Sequence, residues 1–563
     1  MDQSWSQNLY KPSSMAHSSP GCQISSEKVA GFQNKIIRAT KRIQETPYLH
    51  FIWWERGAFL SQLGFPELAA SDAYKAILLC NAGLDLCSPL GSIVRFTTAM
   101  YAVFNTDGLT MQTSEQLFRQ VVGENLLTIR KSSYEMLINS MMDLFAYTDV
   151  IKTCIEARNL YPTGGESFDE RNLIAKKQFH SNAKAHADSG FSIKDQKQNL
   201  VAGSCRVRSY PWLPARQRVR DKGLISIANN DLRVSSNSLE IQPSTIGGSV
   251  QGLAQPNCFG IFTTRRILKG KPFLKQTHPF AISLEQPELQ CGNCFHFLAD
   301  CSSVLDLKCC SIYRYCSTKC VTAALDNYHR AICGKDFSEI INRAHNSYGG
   351  KSEGTKYPGG ETEMGHFTGW ADKATDFKTM DPHFRYVEQV PVILIRYLAM
   401  AIQYGGDPLD HPHIAPLVAN DTATGIMSWS FNGMILGPIK ALEIMGIDIF
   451  ADQRFDTWVL LTMWCRIQNN SAALDVGFPN SVMSPTYSWF NHSCSPNAAN
   501  ITTESQMACD TETVSLKTIQ KGDEVFVSYL SDEDLKMGRR YRQQRLKSWF
   551  GSDCRCARCQ EET

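Results

Sequence analysis

The cysteines of this chain are concentrated in two short segments. Eight of the 20 lie between Cys291 and Cys333, and three more lie within the last ten residues. The N-terminal stretch is polar and lacks the apolar core of a secretory signal, so we expect a reducing compartment in which disulfides are rare. Clustered cysteines in such a compartment indicate metal ligands. The sequence therefore predicts small modules that are held together by metal ions.

The rest of the chain is long and apolar enough to form ordinary cores. Its 563 residues, 43% of them hydrophobic, predict two to four domains. The formal charge of +2 indicates no general attraction to nucleic acid or to acidic membranes, and direct nucleic-acid binding is not supported. No run approaches the roughly 18 apolar residues of a membrane span. We expect a soluble protein of the cytoplasm, the nucleus or both.

The N-terminal third has a helical pattern. From Val29 to Tyr161, prolines and glycines are few and apolar residues recur every three or four positions. We assign residues 29–164 to an all-α region, residues 1–28 to a disordered N-terminus and residues 165–235 to a polar linker. The helical region is expected to fold as a separate lobe.

One stretch of this region, "WWERGAFLSQLGFPELAASDAYKAILLC", resembles a tetratricopeptide unit. Its Ala69, Ala73 and Ala76 supply the small face that a close helix pair requires. Since such arrays need about three units, an ordinary helical hairpin remains the alternative. Either structure would serve for binding partner proteins.

The C-terminal half has a different texture. Short β-like runs separated by glycines begin near Leu239, and a second β-rich region follows from about Asn480 to Leu530. Between them lie the cysteine cluster, a glycine-rich tether at residues 337–386 and a helical stretch from Val387 to Cys465. The pattern predicts one β-rich domain, residues 236–535, which is interrupted by insertions.

The larger cysteine cluster, at residues 288–336, has the composition of a zinc module. Zinc prefers four tetrahedral sulfur or nitrogen ligands, and two such sites could replace the core that about 45 residues cannot provide. A thioredoxin-like redox role is disfavoured, because no strand-to-helix pattern surrounds the first cysteine pair. The candidate ligands are Cys291, Cys294, Cys309, Cys310, Cys316, Cys320, His329 and Cys333.

The second cluster lies in the tail, residues 536–563. The sequence "CRCARC" supplies Cys554, Cys556 and Cys559, one ligand short of a tetrahedral set. Cys494, in the unusual stretch "YSWFNHSCSPNAAN", could complete that set. We therefore predict about three zinc ions per chain.

Three motifs together resemble a known enzyme family. "NHSCSPN", the downstream "GDEVFVSYL" and the terminal Cys-x-Cys-x-x-Cys resemble the core and post-SET region of SET-domain methyltransferases. The order of ligands in the larger cluster resembles a MYND finger, which narrows the resemblance to SET-and-MYND protein lysine methyltransferases. The resemblance implies a multidomain α+β fold with a β-rich SET domain that a MYND zinc finger interrupts. An N-terminal tetratricopeptide-like region and a zinc-binding post-SET tail complete it.

The family pattern also implies how the finger divides its ligands. Cys291, Cys294, Cys316 and Cys320 would form one site. Cys310, His329 and Cys333 would share the other with one more ligand. The family has a cysteine where this chain has Leu307. Cys309 is the first candidate for the missing ligand, and Cys301 is the second.

The family pattern further implies a site for S-adenosylmethionine. An early Gly-x-Gly-like turn matches "NCFGIF", with Asn257, Gly260 and with Cys258 in place of the first glycine. A mid-domain Asn-Ser pair matches Asn470 and Ser471. Phe550, or alternatively Trp549, would cover the adenine. The remaining matches are the cofactor-binding Asn491 and His492 and the catalytic Tyr529, which would also contact the cofactor.

The resemblance implies a protein-lysine N-methyltransferase that acts on a histone or non-histone protein. Methyl transfer from a sulfonium to an amine needs alignment and a neutral lysine rather than a metal, so zinc would be structural. Taken singly, His492 would be a core histidine, Tyr529 a strand aromatic and Asn470 a helix cap. The alternation of Val525 and Val527 sets the Tyr529 ring off the valine face.

The alternative function is a non-catalytic adaptor that binds partners through its helical and MYND modules. The basic turn "TTRRILKGK" is read as a solvated surface.

Overall fold

The computed structural model describes residues 26–105, 115–188, 202–207, 209–218, 220, 222–244, 259–277, 280–283, 290–341, 382–419, 426–475, 479–483, 485–502, 510–550 and 553–562. The expected disordered N-terminus lies outside these residues as far as residue 25, and a helix begins at Ser26. Most of the expected tether, residues 342–381, also lies outside them.

The N-terminal region is all-helical, as the apolar spacing predicts. Two of its hairpins, α2–α3 and α5–α6, turn in the same way. In the first turn Gly64 has φ of 76°, and the Phe65 amide donates to the Leu60 carbonyl at 2.9 Å. In the second, Phe145 has φ of 58°, and the next amide donates to the Met141 carbonyl. The helices are α1 (Ser26–Glu45), α2 (His50–Gln62), α3 (Pro66–Leu84), α4 (Pro89–Asn105), α5 (Glu115–Asp143), α6 (Tyr147–Leu160) and α7 (Glu166–Asp188).

The small face of α3 lies where the sequence predicts it. Ala69, Ala73 and Ala76 are fully buried, and α3 packs against α2 and α5. Small side chains allow the helix axes to approach closely, and Pro66 at the start of α3 fixes its entry. The hairpin is therefore formed as expected, while membership of a tetratricopeptide array stays a prediction.

The segment assigned to a linker, residues 165–235, contains regular structure. Helix α7 packs on α6 through the buried Phe168 and Ala175, and its polar residues face outward. A strand at Gly203–Arg206 and a helix at Lys222–Ser235 follow. The linker assignment is wrong for these parts, because the many polar residues belong to one face of amphipathic elements.

The N-terminal helices share one core with the helical stretch that follows the finger. This helical body also contains a π-helix (Asn432–Leu436) and the helices Pro382–Tyr404, Gly437–Ile444 and Thr457–Asn470. At the junction, Asp456 accepts from Arg56 at 3.0 Å and from Lys75 at 3.2 Å, and Arg56 also pairs with Asp72 at 2.7 Å. Both cations lie on the ring of Trp53. All four charged side chains are buried, so the two segments are joined by a dry ionic cluster.

The strands form small sheets. The strands are β1 (Gly203–Arg206), β2 (Leu239–Pro243), β3 (Phe259–Thr263), β4 (Pro272–Thr277), β5 (Phe280–Ser283), β6 (Leu305–Leu307), β7 (Cys310–Tyr315), β8 (Ile426–Trp429), β9 (Ser471–Asp475), β10 (Pro479–Met483), β11 (Asn491–His492), β12 (Ala498–Thr502), β13 (Asp510–Ser515) and β14 (Phe526–Val527). Two antiparallel sheets have three strands each, in the orders β12–β13–β4 and β5–β10–β9. The other strands form pairs: β2 with β3, β1 with β8, β6 with β7, and β11 with β14, the last pair being parallel. A separate apolar cluster that includes Ile261, Trp489 and Val525 fills the β-rich region.

The cysteine-rich segment packs on the helical body. Its helices Thr318–Asn327 and His329–Ile332 lie against helix Pro382–Tyr404, and its β6–β7 hairpin packs on Thr318–Asn327. From helix Pro382–Tyr404 the buried Arg396 stacks on Tyr328 at 3.6 Å and donates to the Gly292 carbonyl at 2.6 Å. Gln403 of the same helix donates to the Leu325 carbonyl, so two side chains orient the cysteine-rich segment.

A membrane span is not apparent in the part of the chain that the structure describes. No single helix there is both long and apolar enough, although one bent pair, Pro66–Leu84 with Pro89–Val103, passes by length and composition.

Candidate active site and metal centres

Three distant segments of the β-rich region meet around a buried carboxyl group. The Asn491 amide nitrogen donates to the Phe259 carbonyl at 3.1 Å and to Glu524 Oε1 at 2.6 Å. The Ser244 hydroxyl donates to the other Glu524 oxygen at 2.9 Å. Burial raises the pKa of Glu524, and these two neutral donors act in the opposite direction. The result is a carboxyl group whose two oxygens are each held by a neutral donor.

Gly260 lies in contact with this pair of side chains. A Cβ atom at residue 260 would overlap the Glu524 carboxyl oxygen and lie 2.9 Å from the Asn491 amide nitrogen. Only glycine therefore fits, because any side chain would push Glu524 and Asn491 away from the strand. The cofactor contact of Gly260 stays a prediction. Its predicted neighbours Asn257 and Cys258 lie outside the described residues.

His492 links the Tyr529 backbone to a cysteine. Its Nδ1 atom accepts from the Tyr529 amide at 2.9 Å, so Nε2 carries the proton and faces Cys494 Sγ at 3.3 Å. Burial lowers the pKa of His492 to about 4, which keeps the ring neutral at pH 7. Both ring nitrogens have partners within the protein, so the ring works as a bridge. The cofactor contact of His492 stays a prediction.

Tyr529 follows the parallel strand pair β11–β14 by two residues. The pair aligns Asn491 with Phe526 and His492 with Val527, and the Tyr529 hydroxyl donates to the Phe490 carbonyl at 2.6 Å. Because its proton is engaged there, the hydroxyl oxygen can act as an acceptor. The expectation that this ring lies off the valine face is wrong. Tyr529 packs against the cluster that contains Val525 and Val527, since residues at a spacing of two along a strand share a face and Tyr529 continues that spacing.

The other predicted cofactor residues have different surroundings. Asn470 ends helix Thr457–Asn470, and its amide donates to the carbonyls of Val418 and Arg466, both at 2.7 Å. These contacts are those of a residue that closes a helix end. The side chains of Phe550 and Trp549 lie outside the described part of the structure, although their backbone continues helix Arg539–Phe550.

The tail forms the expected four-thiol cluster. The sulfur atoms of Cys494, Cys554, Cys556 and Cys559 all lie within 4.8 Å of one another, and all four residues are buried. The Cys494 amide donates to Cys556 Sγ at 3.3 Å. Four converging thiols are the donor set of a structural zinc site, so the residues present fit the ion.

A buried arginine accompanies this cluster. Arg542 is fully buried, lies 3.7 Å from Cys559 Sγ and pairs with Glu562 at 2.6 Å. Zinc with four thiolates carries two negative charges, so a cation held beside it lowers the cost of burying the site. Arg558 adds a second brace, because it donates to the Cys494 carbonyl at 3.0 Å.

The finger contains two more ligand clusters. Cys291, Cys294, Cys316 and Cys320 converge within 4.8 Å, as predicted. Cys309, His329 and Cys333 form the second group within the same limit. In that group, Cys309 Sγ lies 3.5 Å from His329 Nε2, and the Tyr315 hydroxyl lies 3.0 Å from Nδ1. A partner on the second ring nitrogen orients a histidine ligand, so this site also fits zinc.

The position of Cys310 and Cys301 bears on the ligand left open in the second site. Although burial raises the pKa of Cys310, the backbone amides of Gly334, Ile312 and Tyr313 and the Cys333 thiol hold it below its usual value. The Cys310 thiol thus contacts Cys333, but Cys310 is not among the residues that converge within 4.8 Å, so its role as a ligand of the second site stays a prediction. Cys301 bonds the Phe297 carbonyl at 3.2 Å and has electrostatic contact with Cys316 and Cys291, which places it near the first site. Cys309, the first candidate, is the residue that the structure brings to His329.

Sequence reasoning missed three residues that support the site. Glu524 and Arg542 are ordinary charged residues in the sequence, and only their burial distinguishes them. Arg220 stacks on Trp489 at 3.8 Å and donates to the Ser488 carbonyl, just ahead of Asn491. The one available signal was Glu524, a carboxylate that begins an otherwise apolar strand.

Comparisons with known proteins agree with this architecture. A family model described as SET domain matches residues 258–530, and the finger lies inside that range. A SET and MYND domain-containing protein of Dictyostelium discoideum is 40% identical over 78 residues, which are 14% of this chain and 17% of that protein. A second such protein of the same organism is 38% identical over 77 residues, 14% of this chain and 18% of that protein.

A histone-lysine N-methyltransferase of Arabidopsis thaliana is 35% identical over 79 residues, 14% of this chain and 16% of that protein. The chain thus spans about a sixth of the length of the curated relatives it matches. The family model covers Glu524, Asn491, His492 and Tyr529, while Ser244, the second donor to the buried carboxyl group, precedes the matched range. Residues 258–530 of this chain therefore match the SET domain, and the chain is similar to SET and MYND domain-containing proteins.

Proposed function

We propose that this protein is an S-adenosylmethionine-dependent protein-lysine N-methyltransferase that acts on a histone or another protein. The observation that carries the proposal lies in the region that the SET-domain model matches: the parallel pair β11–β14 holds Asn491 and His492 side by side with Phe526 and Val527. The His492 ring accepts from the amide of Tyr529, two residues beyond β14, so a polar amide and a tyrosine hydroxyl are held near one another. The similarity to a named histone-lysine methyltransferase supports the same class of reaction.

The residues around Gly260 fit a cationic cofactor. The Glu524 carboxyl occupies the space that a side chain at residue 260 would take, and it offers negative charge without a cationic partner among its contacts. S-adenosylmethionine would supply the methyl group from its sulfonium. Asn491 would hold it, and Gly260, His492, Asn470, Phe550, Asn257 and Cys258 are proposed to contribute as the family pattern implies.

Tyr529 would orient the substrate amine. Its proton is donated to the Phe490 carbonyl, so its oxygen can accept a hydrogen bond from the lysine N–H. The tyrosine would thereby align the nitrogen lone pair with the methyl group, and alignment is the main source of rate in such a displacement. Burial at the site would also favour the neutral amine, since desolvation disfavours the ammonium form.

Zinc is proposed to be structural at all three sites. The tail cluster holds Cys494, two residues beyond His492, and so supports the bridge to Tyr529. The cysteine-rich segment at residues 288–336 would be a MYND finger inserted in the SET domain. The helical region would be tetratricopeptide-like, and both modules would bind partner proteins. A location in the cytoplasm, the nucleus or both is part of the same proposal.

The first experiment is isothermal titration of the zinc-loaded full chain with S-adenosylmethionine. We expect saturable binding, and we expect Asn491→Ala to weaken it because the amide braces the strand at Gly260. Absence of binding by the folded protein would favour the adaptor function, in which the SET domain serves only as a scaffold.

The second experiment measures methyl transfer from labelled cofactor to cell proteins. Tyr529→Phe keeps the ring and its packing, so cofactor affinity should change little while the rate falls about a hundredfold. Tyr404→Phe, an exposed tyrosine of the helical body, is the matched control and should leave the rate unchanged. A normal rate in Tyr529→Phe would remove this residue from the mechanism.

A further inference from the structure

Two basic segments of the SET domain lie side by side. Residues 264–271 and 515–523, here called the basic ribbon, carry six cationic side chains and one carboxylate, Asp523. The whole chain of 563 residues has a net charge of only +2, so the ribbon concentrates positive charge on one small surface. The cationic residues are Arg265, Arg266, Lys269, Lys271, Lys517 and Lys521, and all six are exposed.

Backbone hydrogen bonds hold the two segments together. Ile267 and Ile519 exchange reciprocal amide-to-carbonyl bonds of 2.9 Å, and the Ser515 amide donates to the Lys271 carbonyl at 3.1 Å. Both isoleucines are buried, with 5% and 1% of their surface exposed. The cationic side chains therefore project from a platform that is anchored beneath, and they are not the ends of a free loop.

Within the described part of the chain, no carboxylate forms an ion pair with the cationic side chains of the ribbon. Arg265 donates to the Ser238 hydroxyl and Lys517 to the Ser495 hydroxyl, each at 2.8 Å, and both acceptors are neutral. Asp523 accepts from the Gln520 amide at 2.9 Å. Among the residues that the structure describes, none of the six cations forms an ion pair. A surface of this kind attracts anionic groups of a partner.

Two exposed leucines lie within this charged surface. Leu268 is 51% exposed and Leu516 is 40% exposed. They are neighbours, because the Ser515 hydroxyl donates to the Leu268 carbonyl at 2.5 Å and Leu516 follows Ser515. The phosphate backbone of a nucleic acid can pair with the cations but makes little apolar contact with the two leucines. A peptide that carries both carboxylates and a large apolar side chain can satisfy both, as aromatic and apolar anchors do at protein interfaces.

We propose that the basic ribbon docks an acidic segment of a partner protein that carries at least one large apolar side chain. The ribbon adjoins the candidate site, since Lys517 is bonded to Ser495, three residues beyond His492, and Asp523 precedes Glu524. A partner held there would lie beside the residues assigned to methyl transfer. The docking itself concerns binding and stands whether or not the chain transfers methyl groups.

The test is fluorescence anisotropy with the zinc-loaded full chain and a short labelled peptide in which glutamate and leucine alternate. We expect binding that weakens with salt, and a Kd about tenfold higher in the triple variant Lys269→Gln, Lys271→Gln and Lys521→Gln. A matched triple variant removes the same charge at exposed lysines of the helical body: Lys41→Gln, Lys152→Gln and Lys177→Gln. It should bind like the wild type, and equal weakening by the two triple variants would overturn the proposal.

A second variant separates a protein partner from nucleic acid. Leu268→Ser with Leu516→Ser should weaken the acidic peptide several-fold and leave binding of a labelled oligothymidylate unchanged. Both side chains are exposed, so the fold should tolerate the change, which a thermal melt checks. If the oligothymidylate binds more tightly than the peptide and the leucine variant binds both normally, the ribbon serves nucleic acid and the proposal fails.

Discussion

The helical body and the C-terminal tail show two different ways to hold a structure together. The core of the body runs from Ile36 to Ile467 and includes the fully buried Trp53, Trp429 and Trp464. Among the described residues, the core of the tail contains six buried residues, of which four are the cysteines that converge on one point. Apolar burial can therefore stabilise the body, while in the described part of the tail the thiols that would bind an ion make up most of the core.

The comparison teaches where single changes will be most damaging. In the body, apolar contacts are many, so the sensitive points are the buried charges at the junction. In the tail, the bound ion would take the place of an apolar core, so the loss of any one ligand should destabilise the fold. The candidate site joins the metal-dependent tail to an apolar core, since His492 contacts the tail cluster through Cys494 and the β-rich core through Tyr529.

The largest effect is expected from loss of a tail ligand. Cys494→Ser should lower the zinc content from three ions per chain to two and make the tail sensitive to protease, because binding of structural zinc supplies about 10–16 kcal/mol of folding free energy. Elemental analysis and limited proteolysis measure this. Cys87→Ser changes an exposed cysteine outside the clusters and should keep all three ions. An unchanged zinc content in Cys494→Ser would show that the tail does not depend on this ligand.

The second effect concerns the junction of the helical body. Asp456→Ala leaves Arg56 and Lys75 buried with Asp72 as their one remaining carboxylate, so the free energy of unfolding should fall by about 3–5 kcal/mol. Chemical denaturation measures this. Glu45→Ala, which breaks the exposed pair with Lys41, is the control and should have no measurable effect. Equal stability of the two variants would mean that the ionic cluster does not join the segments.

The same junction bears on whether the N-terminal helices fold alone. Autonomous folding of the segment from Val29 to Tyr161 stays a prediction. Separated from Asp456, its buried Arg56 and Lys75 would keep Asp72 alone as a partner. An isolated fragment should therefore melt at a lower temperature than the same helices in the full chain.

The third effect concerns the His492 ring, which bridges the tail cluster and the backbone of Tyr529. His492→Ala leaves the Tyr529 amide without its acceptor and Cys494 without its donor, at a cost of about 1–3 kcal/mol. Hydrogen exchange should become faster in residues 526–530 and stay unchanged in the helical body. His180→Ala, on the exposed face of α7, is the control. If exchange in residues 526–530 is unaltered, the histidine does not position Tyr529.

The smallest effect is a pH dependence within the helical body. Burial lowers the pKa of His50 to about 4 against a usual value near 6.5, so between these values the unfolded chain binds a proton that the native state does not. Stability should therefore fall as the pH falls from 7 to 5, by about 1–2 kcal/mol for this residue. His50→Gln should flatten that part of the curve of unfolding free energy against pH. Identical slopes in variant and wild type would contradict the assignment.

The sequence predicted those features whose chemistry is local and strict. Zinc accepts few ligand types, so the cysteine clusters predicted metal sites, and the three thiols of the tail indicated Cys494 as the fourth ligand. The resemblance to a MYND finger implied that Cys291, Cys294, Cys316 and Cys320 share one cluster. Helical periodicity likewise predicted the N-terminal region and the small face of α3. Motif order placed the SET domain, which the family model matches.

The features that escaped prediction depend on contacts between distant parts of the chain. Arg56 and Asp456 are 400 residues apart, and Arg542 is one basic residue among several in its helix. Burial alone makes these residues important, and a single sequence does not reveal burial of a charged side chain. The polar segment at 165–235 escaped prediction for a related reason, since only a few of its apolar residues, among them Phe168, Ala175 and Leu232, are buried against other parts of the chain.

The separation of Arg56 from Asp456 also sets an order of events during synthesis. A ribosome adds about 5–20 residues per second, so Asp456 is made about 20–80 s after Arg56. Throughout that interval the nascent N-terminal helices hold two cations and a single carboxylate at a surface meant to be dry. A chaperone that covers this surface on the ribosome would bind during that interval. It would have to dissociate once the helix that begins at Thr457 has been synthesised and packs on the surface.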